Sequence, residues 1–156
     1  TIPFRPFQHL TELEMQMACL RSTHRCLSDL GRLILDVFDP CLEMLVDDSA
    51  LNETALGEPF TMPDGREVRR SERTAHRDRA RPIQQVELIY NVKHPDGREE
   101  RLVQSFPMRY FFRFELDHLL ARCGFKIEAL YSDYNRRPIG ENNPGELVIV
   151  ARSSAS

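Results

Sequence analysis

The chain has 156 residues, of which 41% are hydrophobic and 29% charged, and its formal net charge is −3. This length fits one domain or a large part of one, and the charge excludes a general electrostatic attraction to nucleic acid or anionic lipid. We find neither an apolar run long enough to cross a bilayer nor a basic-then-apolar leader. The four cysteines form no Cys-x-x-Cys pair, so we expect reduced thiols in a cytoplasmic protein.

The first seven residues are an unusual amino terminus. They read Thr-Ile-Pro-Phe-Arg-Pro-Phe, whereas chain ends are usually polar and frayed. Such a stretch is typical of a buried strand that runs into a loop. We therefore expect a fragment whose upstream part is missing, and the alternative is a processed chain.

Helical periodicity predicts two helices. Over residues 12–28 a stripe recurs at spacings of three and four, behind a capping box formed by Thr11 and Glu14. The stripe consists of Leu13, Met17, Leu20, His24 and Leu27. A second helix is predicted over residues 112–123, and Gly124 is placed to end it in the left-handed conformation.

Three short apolar runs predict strands at 32–38, 125–134 and 146–152. The first and last are continuous and rich in branched residues, which is typical of strands buried on both faces in a parallel sheet. Since helices alternate with these strands, we predict an α/β fold.

The middle of the chain has a different pattern. Two Pro-Asp-Gly turns, at 63–65 and 95–97, lie between alternating β-like runs and favour hairpins. We predict an antiparallel β-meander at 58–107. It is inserted between two parts of the core, a helix and central strand at 1–57 and a helix with a β-hairpin at 108–153.

Five short motifs, in this order along the chain, resemble the second half of class I S-adenosylmethionine-dependent methyltransferases that act on small molecules. They are Pro6-Phe7-Gln8-His9-Leu10, Asp29–Phe38, Arg109-Tyr110-Phe111, Cys123-Gly124-Phe125 and the final strand ending in Val-Ile-Val-Ala151. One position departs from the family pattern, since Leu30 stands where the family has a second glycine. The resemblance implies the carboxyl-terminal half of a Rossmann-like sheet, with an inserted meander and an antiparallel last strand.

The resemblance also implies S-adenosylmethionine as the cofactor of the complete protein. The family binds it with a glycine-rich loop after the first strand and an acidic residue that ends the second. The seven glycines here are dispersed, so that part of the site would lie upstream of Thr1. We therefore expect the chain alone to be inactive or nearly so.

The loop before the first helix carries three candidate residues. Phe7 and His9 are predicted to contact the cofactor, and His9 is also predicted to orient or deprotonate an amine or hydroxyl acceptor. Arg5 could hold an acidic group of the substrate. The alternatives are that His9 packs before the helix and that Arg5 is a solvated side chain.

The segment between the meander and the second helix carries Arg109 and Tyr110. The resemblance places such a pair in the pocket of the methyl acceptor. In the alternative, Tyr110 belongs to the core and Arg109 pairs with Glu115 or Asp117.

Three further residues are predicted to bind the substrate because they end strands at the edge where α/β proteins bind ligands. They are Asp39, Tyr131 and Tyr134. The alternative for Asp39 is a turn before Pro40, and for the tyrosines it is packing.

Seven arginines lie close together at positions 66, 69, 70, 73, 77, 79 and 81. They could contact RNA or a phosphate, but no RNA-binding aromatic motif accompanies them. We favour solvated edge strands, in which charge discourages aggregation. The five histidines are far apart, and no zinc-ligand spacing occurs.

Two functions remain open on the sequence. The first is the carboxyl-terminal portion of a methyltransferase for a small-molecule amine or hydroxyl. The second is a non-catalytic binding or dimerisation module whose meander contacts a partner. In both, we expect a homodimer in which the chains complete each other's sheet and no membrane association. We expect no nucleic-acid partner for the methyltransferase, whereas the arginine-rich face of the binding module could contact RNA.

Overall fold

The computed structural model describes residues 1–78, 80–140 and 145–154. The chain divides into two compact units: unit 1 comprises Thr1–Leu45 and Arg109–Ser156, and unit 2 comprises Val46–Met108. A 3-10 helix at Pro6–His9 precedes the first α-helix, and another lies at Asp48–Leu51. The other elements are α1 (Leu13–Cys26), β1 (Arg32–Asp39), α2 (Leu42–Val46), β2 (Thr54–Ala55), β3 (Phe60–Thr61), β4 (Glu67–Asp78), β5 (Ile83–Lys93), β6 (Glu99–Arg109), α3 (Arg113–Arg122), β7 (Phe125–Tyr131) and β8 (Gly145–Ser153).

Unit 1 contains a three-stranded sheet in the order β1–β8–β7. Strand β8 is antiparallel to both neighbours, as predicted for the last strand. On its other edge β1 forms one parallel bridge, between Leu35 and Ile2, where the Ile2 amide donates to the Ile34 carbonyl at 2.8 Å. The α/β fold predicted from the sequence is confirmed.

One face of this sheet forms the core of unit 1. Alternate residues of β1 and β8 point to that face and join buried residues of both long helices. The cluster includes Leu33, Leu35, Val37, Leu147, Ile149, Met17, Leu20, Leu116, Leu120 and Phe125. On the opposite face Ile34 is 38% exposed. The prediction that β1 is buried on both faces was therefore only partly right.

The start of α1 differs from the sequence prediction. The N-cap is Glu12, which makes no side-chain cap hydrogen bond, so Thr11 and Glu14 do not form the predicted capping box. Instead, the buried Gln16 side chain donates to the Leu10 carbonyl at 2.6 Å. The helix ends at Cys26, before the predicted residue 28.

The end of α3 follows the prediction. Gly124 has a φ of 84°, a left-handed conformation that side chains other than glycine's disfavour. A Cβ there would also lie 3.0 Å from Nε2 of His24. Glycine suits this position for two reasons: the backbone is left-handed, and His24 leaves little room for a Cβ.

Unit 2 is a five-stranded antiparallel sheet in the order β2–β4–β5–β6, with β3 also paired to β4. Both Pro-Asp-Gly turns form as predicted, with Gly65 at φ 84° and Gly97 at φ 85°. Unit 2 begins at Val46, earlier than the predicted residue 58, because β2 pairs with Ser71 and Glu72 of β4.

Candidate active site at the carboxyl end of β1

The loop that precedes the first 3-10 helix is backbone-strained and anchored. Phe4 and Arg5 both have positive φ angles, 66° and 61°, which is uncommon for residues other than glycine and recurs at functional sites. The Arg5 guanidinium makes two hydrogen bonds to the Glu146 carboxylate and lies 5.3 Å from the Phe38 ring centroid. Arg5 is thus fixed over the end of β1, with its charge already neutralised.

Gln8 joins three segments of unit 1. Its side chain is 1% exposed, and its Nε2 donates to the Arg109 carbonyl at 2.8 Å. Its Oε1 accepts from the Phe38 amide at 2.9 Å. A buried side-chain amide that hydrogen-bonds through both its nitrogen and its oxygen stabilises the segments it contacts. Breaking either bond would leave a buried polar group unsatisfied. Gln8 therefore ties the 3-10 helix to the end of β1 and to the segment before α3.

The predicted residues around Gln8 divide into buried and accessible groups. Phe7 is fully buried, with its ring centroid 5.5 Å from that of Phe111, and its contact with the cofactor stays a prediction. His9 is exposed and ends the 3-10 helix. Asp39 ends β1 and is half-buried. Since Gln8 bonds to the Phe38 amide, the backbones of His9 and Asp39 are brought to the same end of the sheet.

Arg109 and Tyr110 lie in the segment that Gln8 holds. The Arg109 guanidinium is bonded to the Glu115 carboxylate, which is one of the two pairings left open by the sequence. Its Cζ lies 5.1 Å from the Phe111 ring centroid. Tyr110 packs edge-to-face on Phe112 at 5.9 Å. Arg109 is therefore already paired, whereas half-buried Tyr110 keeps part of its surface accessible.

Asp36 and Tyr134 add a second polar contact on the sheet. Asp36 is 3% exposed, and Tyr134, in the loop after β7, hydrogen-bonds to it. Burial and then this bond raise the pKa of the Tyr134 hydroxyl above its ordinary value, because both disfavour the phenolate. Tyr131 ends β7 opposite Val148 and is half-buried. Both tyrosines thus lie on the side of unit 1 that carries the end of β1.

The loop of Tyr134 is shaped by Asp133. Its carboxylate accepts from the amides of Asn135 at 2.8 Å and Arg137 at 3.1 Å. These bonds, led by the Arg137 amide, lower the pKa of the Asp133 carboxyl. The carboxylate therefore has a structural role in the loop. Residues 141–144, between this loop and β8, lie outside the described residues.

Sequence reasoning missed Gln8 and Gln16 as organisers of this region. Both are glutamines buried among apolar neighbours, and both use their side-chain amides to satisfy backbone carbonyls. The signal in the sequence was a glutamine next to a core residue: Gln8 follows Phe7, and Gln16 precedes Met17. Such a residue must find a hydrogen-bond partner when it is buried.

Metal and thiol chemistry find no support in this region. No group of three metal-ligating side chains occurs within residues 1–78, 80–140 and 145–154. All four cysteines are free thiols. Burial raises the pKa of the Cys19 and Cys123 thiols, so neither is activated as a nucleophile. In the same described part of the chain, no helix has the length and apolar character needed to cross a membrane.

The arginine-rich stretch lies in and beside β4 of unit 2, and most of its described members pair with carboxylates. The pairs are Arg66–Asp64 at 2.7 Å, Arg73–Glu87 at 2.7 Å, Arg77–Asp48 at 3.6 Å and Arg81–Asp78 at 2.7 Å. Arg79 lies outside the described residues. Local neutralisation of this kind supports the solvated-surface interpretation over a phosphate-binding one.

The residues present supply only part of the cofactor site that the resemblance implies. Phe7 is buried against Phe111, and the glycines at 31, 57, 65, 97, 124, 140 and 145 form no glycine-rich loop. The chain thus lacks the backbone cradle for the cofactor. What it does carry is an accessible imidazole, at His9, beside strand ends with polar side chains.

Several solved structures of methyltransferases have a fold similar to that of this chain. A structure of an S-adenosylmethionine-dependent methyltransferase from Clostridium acetobutylicum matches with a TM-score of 0.70 and 9% identity, over 97% of this chain and 56% of that one. The sugar N-methyltransferase KedS8 from a Streptoalloteichus species matches with a TM-score of 0.67 and 19% identity, over 96% and 54%. CalS10, an amino pentose methyltransferase from Micromonospora echinaspora, gives 0.67 and 18%, over 94% and 55%.

These likenesses establish the fold of the chain as that of S-adenosylmethionine-dependent methyltransferases. The chain spans little more than half the length of these structures. No protein-family model matches the chain, and no curated protein matches it in sequence.

Proposed function

We propose that the chain is the carboxyl-terminal portion of a methyltransferase that moves a methyl group from S-adenosylmethionine to an amine or hydroxyl of a small molecule. The observation that carries this proposal is the match of nearly the whole chain, 97%, to 56% of a methyltransferase structure. The order β1–β8–β7, with the antiparallel strand in the middle, is consistent with the predicted carboxyl-terminal half-sheet.

The outer edge of β1 supports the proposed truncation. Among the described residues, β1 is met on that edge only by the single parallel bridge from Ile2 to Leu35. An isolated bridge leaves most backbone N–H and C=O groups of that edge without a hydrogen-bond partner from a neighbouring strand. Such edges are normally paired or covered. In the proposal, the cofactor-binding half of the protein supplies the next parallel strands there.

His9 is the proposed catalytic residue. S-adenosylmethionine, when bound, supplies a methyl group already activated on a sulfonium, so positioning of the acceptor accounts for most of the rate. The His9 imidazole accepts the proton that the acceptor nitrogen or oxygen loses, or orients its lone pair. Gln8 supports this role because it fixes the turn that carries His9 to Phe38 and to Arg109.

The proposal also assigns a role to each of the other predicted site residues. Asp39, Tyr110, Tyr131 and Tyr134 line the acceptor side. Arg5 is paired with Glu146, and Arg109 with Glu115. In the proposal these pairs orient both guanidinium groups, Arg5 toward an acidic group of the substrate and Arg109 in the acceptor pocket. Two of the structural neighbours are described as sugar and amino pentose methyltransferases, which makes an amino sugar the narrower acceptor class that we propose. We also retain the cytoplasmic location, supported by four free cysteines.

The proposal is tested by cofactor binding. S-adenosylhomocysteine is titrated calorimetrically into the 156-residue chain and into a chain extended upstream with the residues that its own gene encodes. We expect binding in the micromolar range for the extended chain and none for the 156 residues alone. Failure of the extended chain to bind would contradict the proposal and favour the binding-module function.

The role of His9 is tested in the same extended protein. The change His9→Asn keeps a polar side chain but removes the base, so we expect kcat to fall by about 100-fold or more with little change in S-adenosylhomocysteine affinity. His118→Asn, on the exposed surface of α3, is the matched control. An unchanged kcat in His9→Asn would remove His9 from the mechanism.

A further inference from the structure

Several large hydrophobic side chains of unit 1 are exposed at the same end of its sheet. Strands β1 and β7 are both antiparallel to β8, so their carboxyl ends lie together at one end of the sheet. Helices α1 and α3 pack on the sheet and lead through short loops into these two strands, so each helix begins near that end. The exposed side chains there include Leu13 and Met15 on α1, Leu42 after β1, Phe112 and Phe114 at the start of α3, and Tyr134 after β7. Such a concentration of exposed apolar surface commonly marks a binding site.

Phe112 is the member of this group that the fold explains least. It is the N-cap of α3, where its side chain makes no cap hydrogen bond, and it is 40% exposed. The N-cap position favours Ser, Thr, Asp or Asn, because their side chains bond to free amides of the first turn. The phenylalanine therefore supplies neither a cap nor a fully buried core residue. Residues that break a local rule in this way are expected at functional sites.

Phe112 and Tyr110 form an aromatic pair on the outer side of the segment before α3. Their ring centroids lie 5.9 Å apart, and the ring planes are at 86° to each other. Phe111, which lies between them in sequence, is fully buried, so the pair faces away from the core. Two rings at nearly a right angle form a corner in which a third aromatic ring can stack on one and meet the other edge-on. We call Tyr110 and Phe112 the aromatic corner.

The aromatic corner lies beside the turn that carries His9. The side chain of Gln8, the residue before His9, donates to the Arg109 carbonyl at 2.8 Å. The rings of Phe7 and Phe111 are in contact, with 5.5 Å between their centroids. Both contacts join the first 3-10 helix to the segment that carries the corner. A molecule bound at the His9 imidazole can therefore extend to the corner.

The corner is on the opposite side of the sheet from the edge where the upstream half is proposed to join. That edge is the outer side of β1, which Ile2 meets. Helix α3, which begins at the corner, packs on β7, and β7 is the other edge of the three-stranded sheet. At about 4.8 Å between neighbouring strands, the two edges are roughly 10 Å apart. The corner is therefore placed to contact the acceptor rather than the upstream half.

We propose that the aromatic corner binds an aromatic ring of the methyl acceptor, and that the acceptor is an amino sugar glycoside with an aromatic aglycone. The amine of the sugar lies at His9, and the ring of the aglycone lies in the corner. Phe112 is the residue that selects this class of acceptor, and it contributes to binding and not to proton transfer. The inference rests on the proposed function, because the aromatic ring is recognised as part of the acceptor.

The first test compares the methyl and phenyl glycosides of the same amino sugar. The sugar is glucose with one ring hydroxyl replaced by an amine, and each ring position is tested in turn. Both glycosides are titrated calorimetrically into the upstream-extended chain in the presence of S-adenosylhomocysteine. We expect the phenyl glycoside to bind about tenfold more tightly, because the corner removes its ring from water.

The failures of the two proposals are distinguishable in this experiment. Equal affinities for the two glycosides, or binding of neither at any position of the amine, would overturn the aromatic-acceptor inference. S-adenosylhomocysteine is titrated first and alone, and its failure to bind would contradict the proposed function whichever glycoside binds.

The second test is Phe112→Ser in the same extended protein. We expect the phenyl glycoside to lose its advantage of about tenfold, while the affinities for the methyl glycoside and for S-adenosylhomocysteine stay unchanged. Serine is the better N-cap, so the variant should unfold at no lower urea concentration than the wild type, which separates lost binding from lost folding.

The matched control is Phe60→Ser. Phe60 lies on β3 of unit 2 and has almost the same exposure, 41%, so this variant should keep the preference for the phenyl glycoside. A Phe112→Ser protein that keeps the preference would overturn the inference. So would one that unfolds at a clearly lower urea concentration with both glycosides weakened equally, because Phe112 would then be a packing residue covered by the upstream half.

Discussion

The two units of this chain use polar side chains in opposite ways. In unit 1, polar side chains are buried and satisfied inside the fold, as Gln8, Gln16 and Asp36 show. In unit 2, Ser71 and Thr74 are also buried, but Arg73 of β4 pairs with Glu87 at the sheet surface. Buried hydrogen bonds are costly to break and surface ion pairs are not. The comparison predicts that single polar substitutions affect the stability of unit 1 strongly and that of unit 2 weakly.

The largest effect is expected for Gln8→Leu. The change leaves the Phe38 amide and the Arg109 carbonyl without their partner, which should lower the free energy of unfolding by about 2–4 kcal/mol. The measurement is urea denaturation followed by circular dichroism. Gln16→Leu is the matched control, because it loses a single described bond and should cost about half as much. Equal losses in the two variants would contradict the joining role of Gln8.

An intermediate effect is expected for Gly124→Ala. The alanine must adopt the left-handed conformation, at about 1 kcal/mol, and its Cβ must also displace His24. Gly97→Ala is the matched control in unit 2. It has nearly the same φ, 85°, and nothing within 4 Å of the added carbon. Thermal unfolding should show Gly124→Ala as the more destabilised variant, and the reverse order would disprove the close packing at His24.

The smallest effect is expected at Glu53 in unit 2. Hydrogen bonds from Arg101 and then Ser71 lower the pKa of its carboxyl to about 2. A depressed carboxyl pKa stabilises the fold above the unfolded pKa and loses that contribution as the pH falls through the folded one. Acid titration of unfolding should thus show a loss between about pH 4.5 and 2 that Glu53→Gln lacks. Glu58→Gln, which removes an exposed glutamate of the same unit, is the matched control.

Local signals in the sequence predicted the parts of the fold that depend on local physics. The Pro-Asp-Gly turns and Gly124 were correct because turn residues encode their own backbone conformation. The Thr11–Glu14 capping box was wrong, because the N-cap of the helix is Glu12 and not Thr11, and a short motif does not fix the exact residue at which a helix begins. Strand β2 was also missed, since two residues carry no periodicity.

The location of the candidate site stays a prediction, and the contacts of its residues could not be predicted from the sequence. That strand ends collect ligand-binding residues is a rule of the α/β fold. Asp39 and Tyr131 end β1 and β7, whereas His9 ends a 3-10 helix. The pairing of Arg5 with Glu146 joins residues 141 positions apart, and Gln8 reaches across 101 positions to Arg109. A single sequence holds no signal for such partners. The roles assigned to these residues in methyl transfer remain predictions.

The register of the two sheets also sets the order in which the chain can assemble during synthesis. Strands β4, β5 and β6 are joined by tight consecutive connections, so unit 2 can form as soon as it leaves the ribosome. Strand β1 must instead wait for β8, because Arg32 pairs with Arg152, which is made much later. Until then the apolar side chains of β1 remain uncovered by their main partner strand. The nascent chain is therefore most exposed to aggregation in the interval before β8 emerges, which gives molecular chaperones a specific segment, residues 32–39, to protect.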